Sequence, residues 1–202
     1  MISESYYWKQ ELISSAHYLD SRIYTKRKWT DAQYCKVEKA TMIGFYIIRK
    51  LKEASKLTNK ISSTNIRAYK YKSTNTGLCL HNSHKWPNYY DLSKKIDCKL
   101  DLSFLINQFI HSFIFYPVIT ECPLCKYHFT SLLFNSESEK DKFLYELDIQ
   151  QIIELFNKIG NSNITYIRWL WNPKKKKYDI LNEENVHEIP QYILDNRVGG
   201  KH

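Results

Sequence analysis

The stretch Leu102-Ser-Phe-Leu-Ile-Asn-Gln-Phe-Ile-His-Ser-Phe-Ile-Phe115 decides how this 202-residue chain reads. Leu102, Leu105, Ile106, Phe109, Ile110, Phe113 and Ile114 recur at helical spacing and predict a helix from about Asp97 to Phe115. A bilayer span needs roughly 20 mostly apolar residues. Here Asn107, Gln108, His111 and Ser112 break the run and Pro117 lies near its end, so a buried core helix is expected instead of a membrane span. Ser103, Asn107 and His111 are four residues apart and share one helical face. An amide and an imidazole on so apolar a helix need hydrogen-bond partners if they are buried. Two readings stand. Either the pair is a satisfied core network, or His111 is a general acid or base oriented by Asn107, since its pKa lies near neutrality.

Outward from this segment the periods differ. Trp8, Leu12, Ala16, Leu19 and Ile23 predict a helix over Ser5–Ile23. A second helix begins at Thr30, where Gln33 three residues on completes a capping box. Tyr34, Val37, Thr41, Phe45, Ile48 and Leu51 form its stripe, and it should run to about Leu57 with a basic outer face. Asn59 to Thr64 reads as a polar linker, Ile66 to Lys72 as a short strand, and Ser73 to Tyr90 as loop. After residue 117 the alternation shortens. Tyr127–Phe134 and Phe143–Leu147 predict a hairpin. Asp148 should cap a helix over Ile149–Ile159, ended by Gly160. Ile164–Trp171 and Tyr178–Leu181 predict a second hairpin around the turn Asn172–Lys177. Tyr192–Leu194 carries a weak helical pattern, and the last residues are expected to be mobile.

Hydrophobic residues make up 43% of the chain, enough for a real core. Five Gly and five Pro against 16 Tyr and nine Phe imply long elements and short loops. The expectation is an α+β protein: a helical, basic part over 1–116 packed with a small antiparallel sheet and one further helix over 117–202, forming one compact unit. The N-terminus has no basic stretch before an apolar core, which predicts a cytoplasmic protein without a secretion signal.

The net charge of +9 is uneven. Residues 1–100 carry 19 Lys/Arg against 8 Asp/Glu (+11), and residues 101–202 carry 11 against 13 (−2). Such asymmetry favours an anionic partner, nucleic acid or an acidic protein. The candidate contacts are Arg22, Lys26, Arg27 and Lys28, then Arg49, Lys50, Lys52 and Lys56, two clusters that can form one patch along the second helix. Tyr24, Trp29, Tyr69 and Tyr71 are candidate base-stacking rings. No P-loop, dinucleotide-binding glycine pattern, nucleophile elbow or zincin motif occurs, so nucleotide hydrolysis, hydride transfer and zinc proteolysis have no support.

The five cysteines, Cys35, Cys79, Cys98, Cys122 and Cys125, are odd in number and scattered, unlike a disulfide framework. Cys122-Pro-Leu-Cys125 has knuckle spacing, and with His81 and His84 it is a zinc candidate. Lys126 stands where a knuckle usually has glycine, and ordinary reduced thiols are the alternative. No other cofactor is expected.

The segment Leu105-Ile-Asn-Gln-Phe-Ile-His-Ser112 resembles the signature of the HEPN superfamily, helical bacterial domains that include RNA-cleaving toxins and antiviral effectors. Asn107 matches the signature's polar position and His111 its histidine. Ile106 stands where the family carries Arg, with Arg49 and Lys52 as the cations that can replace it. The resemblance implies a metal-independent endoribonuclease of toxin or antiviral-defence type, acting on RNA more readily than DNA, with Asn107 and His111 catalytic and the chain homodimeric. Small bacterial proteins with an N-Q-x-I-H-S segment are similar too. The competing expectation is a non-enzymatic binding module in which Asn107 and His111 are structural.

Overall fold

A computed structural model describes residues 4–123, 126–173 and 176–183. The weak helical pattern at 192–194, the last residues whose mobility was expected, and Lys174–Lys175 lie outside the described residues, and so do Cys125 and the side chain of Cys122.

Four helices lie on one face of an antiparallel sheet. They are α1 (Tyr6–Asp20), α2 (Asp31–Glu53), α4 (Leu102–Ile110) and α5 (Ile149–Gly160). A single turn, α3 (Asn59–Ser62), follows α2. The sheet contains β1 (Tyr24–Thr25), β2 (Asn65–Lys72), β3 (Ile96–Asp101), β4 (Ser112–Cys122), β5 (Lys126–Ser136) and β6 (Phe143–Asp148). Strand β5 is its hub: β4 flanks one side, β1 and β6 the other, and β2 then β3 continue beyond β6. A separate hairpin pairs β7 (Tyr166–Asn172) with β8 (Lys177–Glu183). The α+β class stands. Among the described residues no helix is long and apolar enough to cross a membrane.

The main core fills the space between helices and sheet. Leu12, Leu19, Phe45, Phe109 and Phe156 from the helices meet Leu132, Phe134 and Leu147 from the strands, all fully buried or nearly so. The rings form a spine: Phe109 stacks on Phe134 at 4.4 Å, and Phe156 meets Phe45 edge-on at 5.3 Å. A smaller core of Tyr71, Leu78, Tyr90, Ile114, Leu133 and Leu144 lies on the sheet's other face. There the 3-10 segment Leu80–Tyr89 contributes Trp86 and Tyr89.

Several local expectations hold for their stated reasons. The Thr30 N–H donates to Gln33 Oε1 at 2.8 Å, one half of the capping box. Asp148 Oδ1 accepts the Gln150 N–H at 2.7 Å, and α5 ends at Gly160. Strands β5 and β6 pair antiparallel with Leu132 opposite Leu147.

The expected helix over 97–115 is corrected. Only Leu102–Ile110 is helical, with Asp101 as its N-cap accepting from the Phe104 N–H at 2.9 Å and His111 as its C-cap. Ile96–Asp101 is strand β3, and Ser112 onward is strand β4. The cause is burial on both sheet faces: Ile114 enters the small core while Phe115 packs against the main one. A strand covered on both sides is apolar throughout, and its period no longer separates it from a buried helix. Pro117 is tolerated because β4 is an edge strand, paired among the described residues with β5 alone.

Three smaller corrections follow. The polar linker at 59–64 contains α3, because Thr58 Oγ1 accepts the Ile61 N–H and Ile61 is buried. Helix α2 stops at Glu53, with Ser55 at φ 55°, short of Leu57. Trp8 is 37% exposed while Lys9 beside it is buried, so Trp8 leaves the α1 stripe, whose other members Leu12, Ala16, Leu19 and Ile23 are buried as expected. The sheet takes β2 and β3 from the N-terminal half, and β4 runs through the expected boundary at 116/117.

Candidate functional site

Helix α4 turns its polar stripe to solvent. Asn107 and His111 are both exposed, so the buried-network reading of this pair does not describe their surroundings. The buried polar side chain is their neighbour Gln108, whose Oε1 accepts the Ser136 N–H at 2.9 Å. The His111 N–H donates to the Asn107 carbonyl at 3.1 Å, and the Glu137 N–H donates to the His111 carbonyl at 3.1 Å. These bonds fix the end of α4 against the β5–β6 turn. Asn107, His111, Ser136, Glu137 and Ser138 then border an open recess of about 480 Å³. Glu137 is paired with Lys140.

Ile106 is buried in the main core. A side chain at that position points away from the recess, whatever its charge. Of the two cations considered as replacements, Arg49 is bound to Glu53 at 2.8 Å. Lys52 donates to Ser103 Oγ, one turn before Asn107 on the same face of α4. It therefore adds positive charge to the stripe that ends at His111.

The basic residues do not form one patch. Helix α2 has 23 residues and is about 34 Å long. Arg22, Lys26, Arg27 and Lys28 precede its N-terminus, while Arg49, Lys50, Lys52 and Lys56 cluster at its C-terminal end. Two of the proposed stacking rings are out of reach, since Trp29 and Tyr71 are buried. Tyr24 stacks on His128 at 4.7 Å, and Lys95 sits 4.0 Å above the Tyr69 ring.

At the C-terminal end of α2, however, Lys50 and Lys56 border a groove of about 880 Å³. Trp8 of α1 and Tyr46 of α2 line it together with Trp169 of β7 and Ile180 of β8. Lys50 Nζ lies 5.6 Å from the Tyr46 ring centroid and 2.9 Å from Glu53 Oε2. Asn182 of β8 clips the hairpin in place: its Nδ2 donates to the carbonyls of Ser55 at 2.8 Å and Leu57 at 3.2 Å. Exposed aromatic rings beside ammonium groups can hold a flat anionic ligand by stacking and charge together.

Sequence reasoning missed Trp8, Tyr46 and Trp169 as site residues. Trp8 falls in the predicted core stripe of α1, and Tyr46 lies one turn before Arg49 and Lys50 on the outer face of α2. The signal that was present is Ile167-Arg-Trp-Leu-Trp171, an alternation that puts three large apolar side chains on one strand face.

For zinc, His81 and His84 are exposed on the 3-10 segment, and their proposed thiol partners fall outside the described side chains. Among the described residues no group of three metal-binding side chains comes together. No family model matches the chain, and neither the curated proteins nor the solved structures contain a match to it.

Proposed function

We propose that this protein is a non-enzymatic RNA-binding module that engages RNA at the groove between the C-terminal end of α2 and the β7–β8 hairpin. The observation that carries this reading is the meeting of Lys50 and Lys56 with Trp8, Tyr46 and Trp169 around one groove. Glu53 offsets part of the local charge, but Arg49 shares that carboxylate from outside the groove, and Lys50 and Lys56 leave the rim basic. The test is RNA affinity by fluorescence anisotropy over a series of salt concentrations. Affinity should fall steeply with salt, and the double variant Lys50→Ala/Lys56→Ala should reduce the slope by about one to two. An affinity indifferent to salt would reject the reading and favour a protein partner.

A second reading is RNA cleavage at α4, of the toxin or antiviral kind that the HEPN resemblance implies. It is favoured by Asn107 and His111 emerging together into one open recess, with Lys52 held one turn away through Ser103. There His111 would take the proton from a ribose 2′-hydroxyl as its oxygen bonds to the adjacent phosphorus, the 5′-oxygen leaving with a proton from water and a 2′,3′-cyclic phosphate remaining, with Asn107 orienting the strand. Cleavage that persists in His111→Ala would remove this reading and leave the binding module untouched.

A further inference from the structure

The β7–β8 hairpin carries an aromatic face that no described residue covers fully. Ile167, Trp169 and Trp171 are 50%, 62% and 55% exposed and stand on the same side of β7. Ile180 lies opposite Trp169 and Tyr178 opposite Trp171, so these side chains join the same face. Tyr178, 57% exposed, stands edge-on to both indoles, at 6.5 Å from Trp169 and 5.1 Å from Trp171. A contiguous patch of large rings left in water marks an interaction surface. The face begins inside the groove at Trp169 and Ile180 and continues past it to Trp171 and Tyr178.

The surroundings choose the occupant. An apolar helix or a second copy of this chain would gain little from Lys50 and Lys56 on the facing wall. A polynucleotide supplies flat apolar faces for the rings and phosphates for the ammonium groups. Ring spacing then decides between duplex and single strand. Trp169 and Trp171 are two residues apart on a strand, about 6.6 Å. Bases along one strand of a duplex are stacked much more closely, about 3.4 Å apart in DNA, and are covered by their neighbours. Bases that lie on both indoles must have left the stack.

We infer that the groove and the hairpin face together bind an unpaired RNA strand. Its bases lie on Trp169 and Trp171, with Trp8 and Tyr46 opposite at the groove end, and its phosphates pass Lys50 and Lys56. This inference rests on the RNA-binding reading above and narrows it from RNA in general to single strands. It also gives the hairpin its role: β7 and β8 form one jaw, hung on the body through Asn182.

The test is a competition by fluorescence anisotropy between a short pyrimidine-rich oligoribonucleotide and the same strand annealed to its complement. The single strand should bind at least about tenfold more tightly, the scale of one stacked base. The double variant Trp169→Ala/Trp171→Ala should lose about tenfold or more for the single strand, with an unchanged melting temperature because both rings are exposed. Trp169→Phe/Trp171→Phe should restore most of that loss. Equal affinity for the duplex, or an undiminished affinity in the alanine variant, overturns the single-strand inference and leaves RNA binding standing. Failure of both forms to bind overturns the inference and the RNA reading together.

Discussion

Phe45 of α2 and Phe109 of α4 stack face to face, with ring centroids 4.1 Å apart and planes only 6° from parallel. Through Phe134 and Phe156 this pair links three helices to the hub strand β5. Phe109 is 1% exposed. Phe109→Ala is expected to destabilise the fold by about 3–5 kcal/mol, through lost burial and the cavity left behind. Urea denaturation measures it, and a loss below about 1 kcal/mol would mean that the neighbouring rings close the gap.

Gly44 offers a sharper test of the same spine. A Cβ there would stand 2.2 Å from two atoms of the Phe156 ring. Helix propensity alone would make Gly44→Ala stabilising by up to about 1 kcal/mol. The clash should reverse the sign, giving a net loss of about 1–3 kcal/mol and a lower melting temperature. A raised melting temperature would show that Phe156 has room to withdraw.

The smaller core contains a carboxylate whose titration should be visible. Glu146 accepts from the Tyr71 hydroxyl at 2.5 Å and the Ser131 hydroxyl at 2.8 Å, and Lys95 pairs with it at 2.9 Å. Burial raises its pKa, but the hydrogen bonds from Tyr71, Lys95 and Ser131 outweigh burial and hold it below the ordinary 4.5. A depressed carboxylate stabilises the fold above its unfolded pKa, and that stability is lost as pH falls through the folded value. Glu146→Gln should therefore cost about 1–3 kcal/mol at neutral pH and flatten the acid limb below about pH 4.3. An acid limb identical to that of the parent protein would exclude Glu146 as its source.

On α4 the polar residues should separate by burial. Gln108→Ala leaves the buried Ser136 N–H without its acceptor and should cost about 1–3 kcal/mol. Asn107→Ala and His111→Ala remove exposed side chains and should stay within about 0.5 kcal/mol. Thermal unfolding of the three variants checks the order, and a large loss at His111 would return it to a structural role.

What the sequence displayed was governed by how many faces of an element are buried. Helices α1, α2 and α5 bury one face each, and their stripes and caps located them within a few residues. Strands β5 and β6 are legible as a hairpin because the polar stretch 135–141 separates their aromatic and aliphatic segments, although β5 is buried without alternation from Ser131 to Ser136. The start of β4 is covered on both faces, with Ile114 in the small core and Phe115 against the main one, so an apolar run that continues from α4 concealed the change from helix to strand at His111. The candidate site suffered from a different loss. Lys50 and Lys56 were visible as charges, but Trp8, Tyr46 and Trp169 come from three distant elements. Only the packing of the hairpin beside α2 brings their rings to the same lysines.

The place of β5 at the centre of the sheet governs the order in which the chain can assemble. Tyr71 on β2 meets Glu146 on β6, 75 positions later, and Ile13 of α1 packs against Gly160 of α5. Early elements of the fold thus find partners among much later ones. During translation α1 can pack on α2 and β2 can pair with β3, but the faces that meet β6 and α5 stay open until residue 160 has emerged. Such non-local pairing makes for slow, concerted folding. A chain halted after β4 would present the open core to chaperones and to other nascent chains.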